Sequence, residues 1–326
     1  MKNALKGHFL YLEMELSPIV LFAYNRPHYL LETLQSLQSN AEAKESKLFI
    51  YCDGPKPDCT EAALSQVNEV RAIAKSEKWC GEVEVIISPV NKGLAPSIIE
   101  GVTAIVNKYG KVIVLEDDLV VSEYYLKYMN EALIKYEHQD KVASITGYSF
   151  PIELPKGSDF KETFFIKITS SLGWGVWKRS WSIFNGDAVF LLNEIKSKKL
   201  KYEFNLGNTY PYFRMMKHAI SGKVSSWGIR WYASVFLNNK LTLFPSYSLV
   251  NHIGNDGGTH VKVDSTGLFG NSVYNKPINN FEDQVAENMV YRKLFAAHFN
   301  KFNRRKLNLR NIKYYYQRGL VFLKSR

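Results

Sequence analysis

At 326 residues, with 46% hydrophobic and 14% aromatic content, the chain can bury a substantial core in one large or two small domains. Its formal charge of +11 suggests a polyanion partner, yet nine of the 42 Lys and Arg residues and no acid fall in residues 301–326. That leaves 33 basic against 31 acidic residues in the body, so the excess is a tail and a nucleic-acid-binding body is excluded.

The chain opens on MKNALKGHFLYLEMEL, with Glu13 and Glu15 where a signal peptide would be apolar, and residues 1–17 read as an N-terminal extension. PIVLFAY (18–24) is a continuous apolar strand, and Pro27 then stands in the first turn of a helix to about Ser39, where its missing N–H costs nothing. The alternation repeats: KLFIYCD is a strand, 61–77 an amphipathic helix, VEVIIS a strand, 96–108 a helix opened by Pro96, and KVIVLE (111–116) a strand. Apolar strands separated by helices require parallel pairing with helices on both faces, a Rossmann-like α/β architecture whose ligands sit at the carboxyl ends of the strands. Tyr24, Asn25 and Arg26 after the first strand, Asp53 after the second, and Asn91, Lys92 and Gly93 after the third fall where that rule places a ligand.

Beyond residue 140 the pattern loosens. FFIKI (164–168) and LTLFP (241–245) read as strands, GWGVWKRSW as a Gly-Trp turn entering a helix, and IRWYASVFLNN as a helix with Trp231, Val235 and Phe236 inward. One domain over 18–262 is followed by a helical, basic C-terminal segment over 263–326. In that tail, tyrosines 314–316 and Leu320, Val321, Phe322 and Leu323 interleave with the cations, which suits an anionic membrane surface as well as a solvated helix packed on the domain. Cys52, Cys59 and Cys80 are an odd number without zinc-like spacing, pointing to a reducing compartment. No apolar run approaches a membrane span, so a cytoplasmic protein is expected, peripheral on the inner face of the plasma membrane if the tail binds lipid.

Glu116, Asp117 and Asp118 close the fourth strand together, with no basic neighbour in sequence. Such a cluster is unfavourable unless water, a cation or a hydrogen-bonding ligand compensates it. Exposed carboxylates ahead of a helix would be the bland account; Mn²⁺ or Mg²⁺ bridging the acids to a diphosphate is the sharper one. HIGNDGGTH (252–260) follows a strand as a Gly-rich loop suited to a lid, and His260 in it is a candidate cation or phosphate ligand. The tryptophans read mainly as core, with Trp174 in its Gly-flanked turn also suited to stack on a sugar. Phosphate-loop, dinucleotide and serine-hydrolase fingerprints are absent from the sequence.

In this order, PIVLFAYNRPHYLLETLQSL, YCDGPK, NKGLAPSI, VLEDDLVVSEYYLKYM and SSLGWGVWKRSW resemble the GT-A-fold glycosyltransferases, especially the branch of N-acetylglucosaminyltransferase I and the bacterial family 2 surface-polysaccharide transferases. The resemblance covers about residues 18–262. It implies that Arg26 and Asp53 contact the nucleotide base, that Lys92 lies near the donor, that Glu116 and Asp117 touch the donor's sugar and ribose, and that Asp118 ligates a metal on the diphosphate. It also implies a nucleotide-sugar donor, UDP-linked, a glycan or glycolipid acceptor such as a lipopolysaccharide, O-antigen or capsule precursor, and an inverting hexosyl transfer. SSWGIRWY departs from the family's pattern, with Gly228, Ile229 and Arg230 where an acidic base is expected; Asp256 is the substitute candidate and Asp187 stands behind it. A nucleotide-sugar-binding protein without turnover and a sugar nucleotidyltransferase are the competing readings, although AYNRPH is not the Gly-rich loop of the latter.

Overall fold

The computed structural model describes residues 15–254 and 272–301. Its centre is an eight-stranded mixed sheet in the spatial order β3 (Glu82–Ile87), β2 (Lys47–Cys52), β1 (Ile19–Ala23), β4 (Lys111–Glu116), β8 (Trp174–Trp177), β6 (Val142–Thr146), β9 (Leu241–Pro245), β7 (Thr163–Ile166). The strands β1 (Ile19–Ala23), β2 (Lys47–Cys52), β3 (Glu82–Ile87) and β4 (Lys111–Glu116) pair in parallel, as the sequence requires. Helices α1 (Pro27–Gln38), α2 (Glu61–Ser76) and α3 (Leu94–Tyr109) connect them. Side chains alternate across the pleat: Ile19, Leu21, Ile113 and Leu115 join one core cluster, Val20, Phe22, Val112 and Val114 the other. Both faces of the sheet are therefore buried under helices, and only the strand ends are left for chemistry.

α3 begins two residues earlier than Pro96 suggested. Gly93 caps it at φ 81°, and the proline sits in the first turn, where N–H groups have no intrahelical partner. Thr60 caps α2 by accepting from the N–H of Ala63 at 3.2 Å.

After β4 the chain makes the short strand β5 (Leu119–Val121) and helix α4 (Tyr125–Lys135). Next come β6 (Val142–Thr146), β7 (Thr163–Ile166), β8 (Trp174–Trp177), helices α5 (Ala188–Ser197), α6 (Tyr212–Ile220) and α7 (Trp227–Leu237), then β9 (Leu241–Pro245) and β10 (Val250–His252). The Gly-Trp turn expected at 173–177 is instead β8, a central strand inserted antiparallel between β4 and β6. Gly175 permits this, since a Cβ there would lie 2.9 Å from the Met129 methyl. Trp231, Val235 and Phe236 are buried as the helical spacing required.

Residues 289–301 form a helix, α8, that packs into the main core through Tyr291, Phe295 and Phe299. The Phe295 ring lies 5.2, 5.7 and 5.5 Å from those of Phe150, Phe164 and Phe244. Phe295→Ala is expected to lower unfolding free energy by about 3–5 kcal/mol, read by denaturant titration; a change under about 1 kcal/mol would mean α8 is dispensable to the core. Among the described residues no helix is long and apolar enough to cross a membrane. The basic tail beyond 301 lies outside the described residues.

Candidate functional site

The acids at the end of β4 meet the turn after β1 from one side and β10 from the other. β5 starts immediately after the acids and pairs antiparallel with β10, placing His252 opposite Leu119. His252 Nε2 consequently lies 3.2 Å from Asp118 Oδ2, while Arg26 Nη1 donates to the same oxygen at 2.8 Å. The Ile253 N–H donates to the Asp118 carbonyl at 2.9 Å, which seats the chain segment 250–254 on the cluster. Gly254 leaves room for this pair: a Cβ there would stand 2.3 Å from Asp118 Oδ2 and 2.6 Å from Arg26 Nη1, so any other residue would have to displace one of them. The guanidinium of Arg26 also lies over the Tyr29 ring, 5.3 Å from its centroid.

Asp117 accepts from the Tyr24 N–H at 3.1 Å, and Thr33 Oγ1 donates to the Asp117 carbonyl at 2.9 Å while accepting from the Leu119 N–H at 3.2 Å. α1 is thus stitched to the acid turn. Burial, then the charge of Asp118, pushes the Asp117 carboxyl up to about 7 against the opposing pull of the Tyr24 N–H and Arg26. Glu116 is raised as well, by burial first and then by its two acidic neighbours. Negative charge at this edge is held at a cost that a bound cation would relieve.

Asp53 performs a different task. Oδ1 accepts from the N–H groups of Gly54 and Lys92, each at 2.8 Å, and Oδ2 from the Gly93 N–H at 2.9 Å and Asn91 Nδ2 at 3.0 Å. The carboxylate binds the 91–93 loop to the end of β2 and sets the start of α3. Gly54 presses against that loop so closely that a Cβ would fall 2.3 Å from the Val90 carbonyl carbon. Gly54→Ala is expected to cost about 1–3 kcal/mol of stability by displacing this backbone; an unchanged melting temperature would mean the loop gives way freely. Lys92 turns its ammonium outward, 2.6 Å from Glu100 on the exposed face of α3.

Trp174 does not present a face to a ligand. It is fully buried and stacks on Trp227, with Trp181 and Trp231 close by, because its place in β8 points it into the core between the sheet and α7. Asp187 also has a structural assignment: its Oδ1 accepts from the N–H groups of Val189 and Phe190, each at 2.9 Å, capping α5. The strand register places residues 169–173, which lead into β8, at the same sheet edge as Glu116, since Trp174 pairs with Val114. There a cavity of about 190 Å³ opens among Ser170, Ser171, Tyr148, Tyr212, Trp227 and Gly228. Gly228 forms part of its wall, and the heavy atom nearest a Cβ built there is that of Ser171, 4.0 Å away.

Asp256 and His260 lie outside the described residues. The histidine that meets the acid cluster is His252, which sequence reasoning passed over in favour of His260. Thr33 and Gly254 were likewise missed. The Gly-rich run HIGNDGG was the signal available, but the β5–β10 pairing that brings it to Asp118 is non-local. Among the described residues no three His, Cys, Asp or Glu side chains converge as a metal cage. Asp118 and His252 still offer a carboxylate oxygen and an imidazole nitrogen, a donor pair that suits a divalent ion completed by phosphate oxygens and water.

A family model described as "Glycosyl transferase family 2" matches residues 19–195, more than half of the chain. Among solved structures, S. aureus TarS aligns at 14% identity and a TM-score of 0.36, covering 72% of this chain and 36% of its own. A UDP-glucose pyrophosphorylase complexed with UDP-glucose aligns at 13% identity and a TM-score of 0.35, with 72% and 91% covered. An active-site mutant of LgtC aligns at 14% identity and a TM-score of 0.30, with 56% and 64% covered. The chain thus spans about a third of the length of TarS. No curated protein matches it.

Proposed function

This chain belongs to glycosyl transferase family 2, and from that premise we propose that it moves a hexosyl unit, with inversion, from a UDP-linked sugar to a cell-surface glycan precursor. The observation that carries the reading is the convergence of Arg26 and His252 on Asp118 at the carboxyl edge of the sheet. A nucleoside diphosphate needs positive charge and oxygen-binding groups beside its phosphates, and this edge offers a guanidinium, an imidazole and carboxylates within one turn of each other. A divalent ion held by Asp118 and His252 would supply the neutralisation of the departing diphosphate. Glu116 and Asp117 accept hydrogen bonds from hydroxyls of the donor, and Asp53 fixes the loop against which the nucleotide lies.

The acceptor enters from the 169–172 side, and its hydroxyl must lose a proton. Asp256 is the proposed base, since it follows directly on the segment seated over Asp118. Asp256→Asn is expected to lower turnover by roughly 10²-fold with little change in donor affinity, and near-normal turnover would remove the assignment. One observation favours a second reading, a nucleotide-sugar-binding protein without turnover: no carboxylate is among the described residues that line the cavity.

Calorimetric titration of UDP and UDP-sugars with and without Mn²⁺, together with donor hydrolysis, separates these readings. Binding without hydrolysis or transfer would leave the binding protein. Failure of every UDP ligand to bind, with or without Mn²⁺, would sink both. Attachment of the basic tail to an anionic membrane is a further part of the proposal, tested by vesicle co-sedimentation of the full chain against one ending at residue 300.

A further inference from the structure

The walls of the cavity beside the acid cluster are chemically one-sided. We propose that this cavity holds one uncharged sugar ring of the acceptor and rejects rings that bear an ionised group, an inference that rests on the transferase reading of the adjoining edge. In a protein of net charge +11, no charged side chain is among the described residues that line it. Tyr210 and Tyr212 are the half-buried rings of the lining, backed by the buried Tyr148, Trp227 and Tyr232, and Thr169, Ser170, Ser171 and Ser226 supply hydroxyls. That combination matches a neutral pyranose, whose C–H face packs on aromatic rings while its hydroxyls, both donors and acceptors, exchange hydrogen bonds with serine and threonine. Among the described residues Thr169 and Ser171 have no protein partner for their side-chain oxygens.

The size fits the same occupant. At about 190 Å³ the cavity falls below the roughly 300–1,000 Å³ of sites for drug-sized ligands, a size that suits a single sugar ring. Its shape is built in: Tyr212 packs on Tyr232 at 4.5 Å between ring centroids, and Phe299 of α8 backs both Phe150 at 4.8 Å and Tyr210 at 4.6 Å.

Neighbouring charges are directed elsewhere. Arg230, two residues past Gly228, is not among the lining residues; its Nε donates to the Ser226 carbonyl at 3.0 Å and its Nη1 to that of Gly186 at 3.4 Å, which turns the guanidinium toward those carbonyls. Glu287 and Arg292, whose charges reach Tyr232, hold each other at 2.7 Å. Burial raises Tyr210, Tyr212 and Tyr232, so these phenols stay neutral. A carboxylate placed among these described groups would lose water without gaining a counterion from them, which is the physical source of the discrimination.

The test uses the full chain at about pH 7, where a uronic acid is ionised, with UDP and Mn²⁺ in every arm. Methyl β-glucopyranoside, methyl N-acetyl-β-glucosaminide and methyl β-glucuronide are titrated by tryptophan fluorescence and saturation-transfer NMR. The neutral glycosides are expected to bind at least about ten-fold more tightly than the glucuronide. Tyr212→Ala should remove most of that affinity. Ser171→Arg, a change on a half-buried loop residue that leaves the aromatic walls intact, should reverse the preference. Equal or tighter binding of the glucuronide, no saturable binding of either neutral glycoside, or an unchanged preference in Ser171→Arg would overturn the inference. UDP and Mn²⁺ are also titrated alone: if they fail to bind while the discrimination persists, the transferase reading falls and the neutral-sugar cavity stands. If they bind and the glucuronide is not disfavoured, the reverse holds.

Discussion

Asp118→Ala is expected to abolish the Mn²⁺-dependent part of donor binding and to cut transfer by about two to three orders of magnitude, equivalent to roughly 2.7–4 kcal/mol of transition-state stabilisation. The expectation follows from what the carboxylate touches. Its Oδ2 is the common partner of Arg26 and His252, so removing it takes away the group that both contact. An ion held at this position would lose the carboxylate that faces His252, and with it the charge compensation it would supply to a departing diphosphate. Fold stability should change much less. The Arg26 side chain keeps 21% of its exposure and lies over the Tyr29 ring, so water and the ring can take up the guanidinium when the carboxylate is gone.

His252→Ala gives the finer reading. If the imidazole shares the ion, the variant should lose Mn²⁺ dependence in the same sense as Asp118→Ala but to a smaller extent, because the carboxylate remains. The measurement is donor titration by calorimetry with and without Mn²⁺, beside a melting curve for each variant. Equal metal dependence in wild type and Asp118→Ala would return the cluster to a solvated strand end braced by Arg26.

The first half of the fold was legible because its information is local. β1, β2 and β4 carry long apolar runs, and the prolines Pro27 and Pro96 mark the first turns of α1 and α3, although the Gly93 cap starts α3 two residues before the proline suggested. The same reasoning placed Arg26, Asp53 and the acids at strand ends, since the carboxyl edge of a parallel sheet is fixed once the strand order is known. β8 was not legible: its Trp-Gly-Val-Trp sequence has the composition of a turn, and only pairing with both β4 and β6 makes it a strand. That pairing is also what turns Trp174 inward and denies it a sugar-facing role. His252 was hidden for a similar reason, since the two three-residue strands that carry it to Asp118 lie far apart in the chain and have no periodicity to detect.

The resemblance that assigned Asp53 to the nucleotide base could not reveal its partners, which lie 38 to 40 residues onward in the chain. Asp53→Ala is therefore expected to act on the fold as well as on the ligand. The carboxylate is 9% exposed and accepts hydrogen bonds from Gly54, Lys92 and Gly93 backbone donors and from Asn91. Hydrogen bonds to an ionised acceptor are worth about 1.5–3 kcal/mol each and are not additive within one cluster, so a loss near 3–5 kcal/mol is expected when all are removed together. The freed N–H groups of Lys92 and Gly93 would then turn to water, the start of α3 would shift, and UDP affinity would fall with the melting temperature. Asp53→Asn separates the two roles. An amide keeps the size and one acceptor oxygen, but its NH₂ group opposes donors that the carboxylate accepted, so a brace predicts a large loss of stability even without ligand. A residue that only reads the base predicts the opposite pattern, with donor affinity down and the apo melting temperature unchanged. Thermal melts of both variants with and without UDP decide the matter, and an unaltered apo melting temperature in Asp53→Asn would reject the brace.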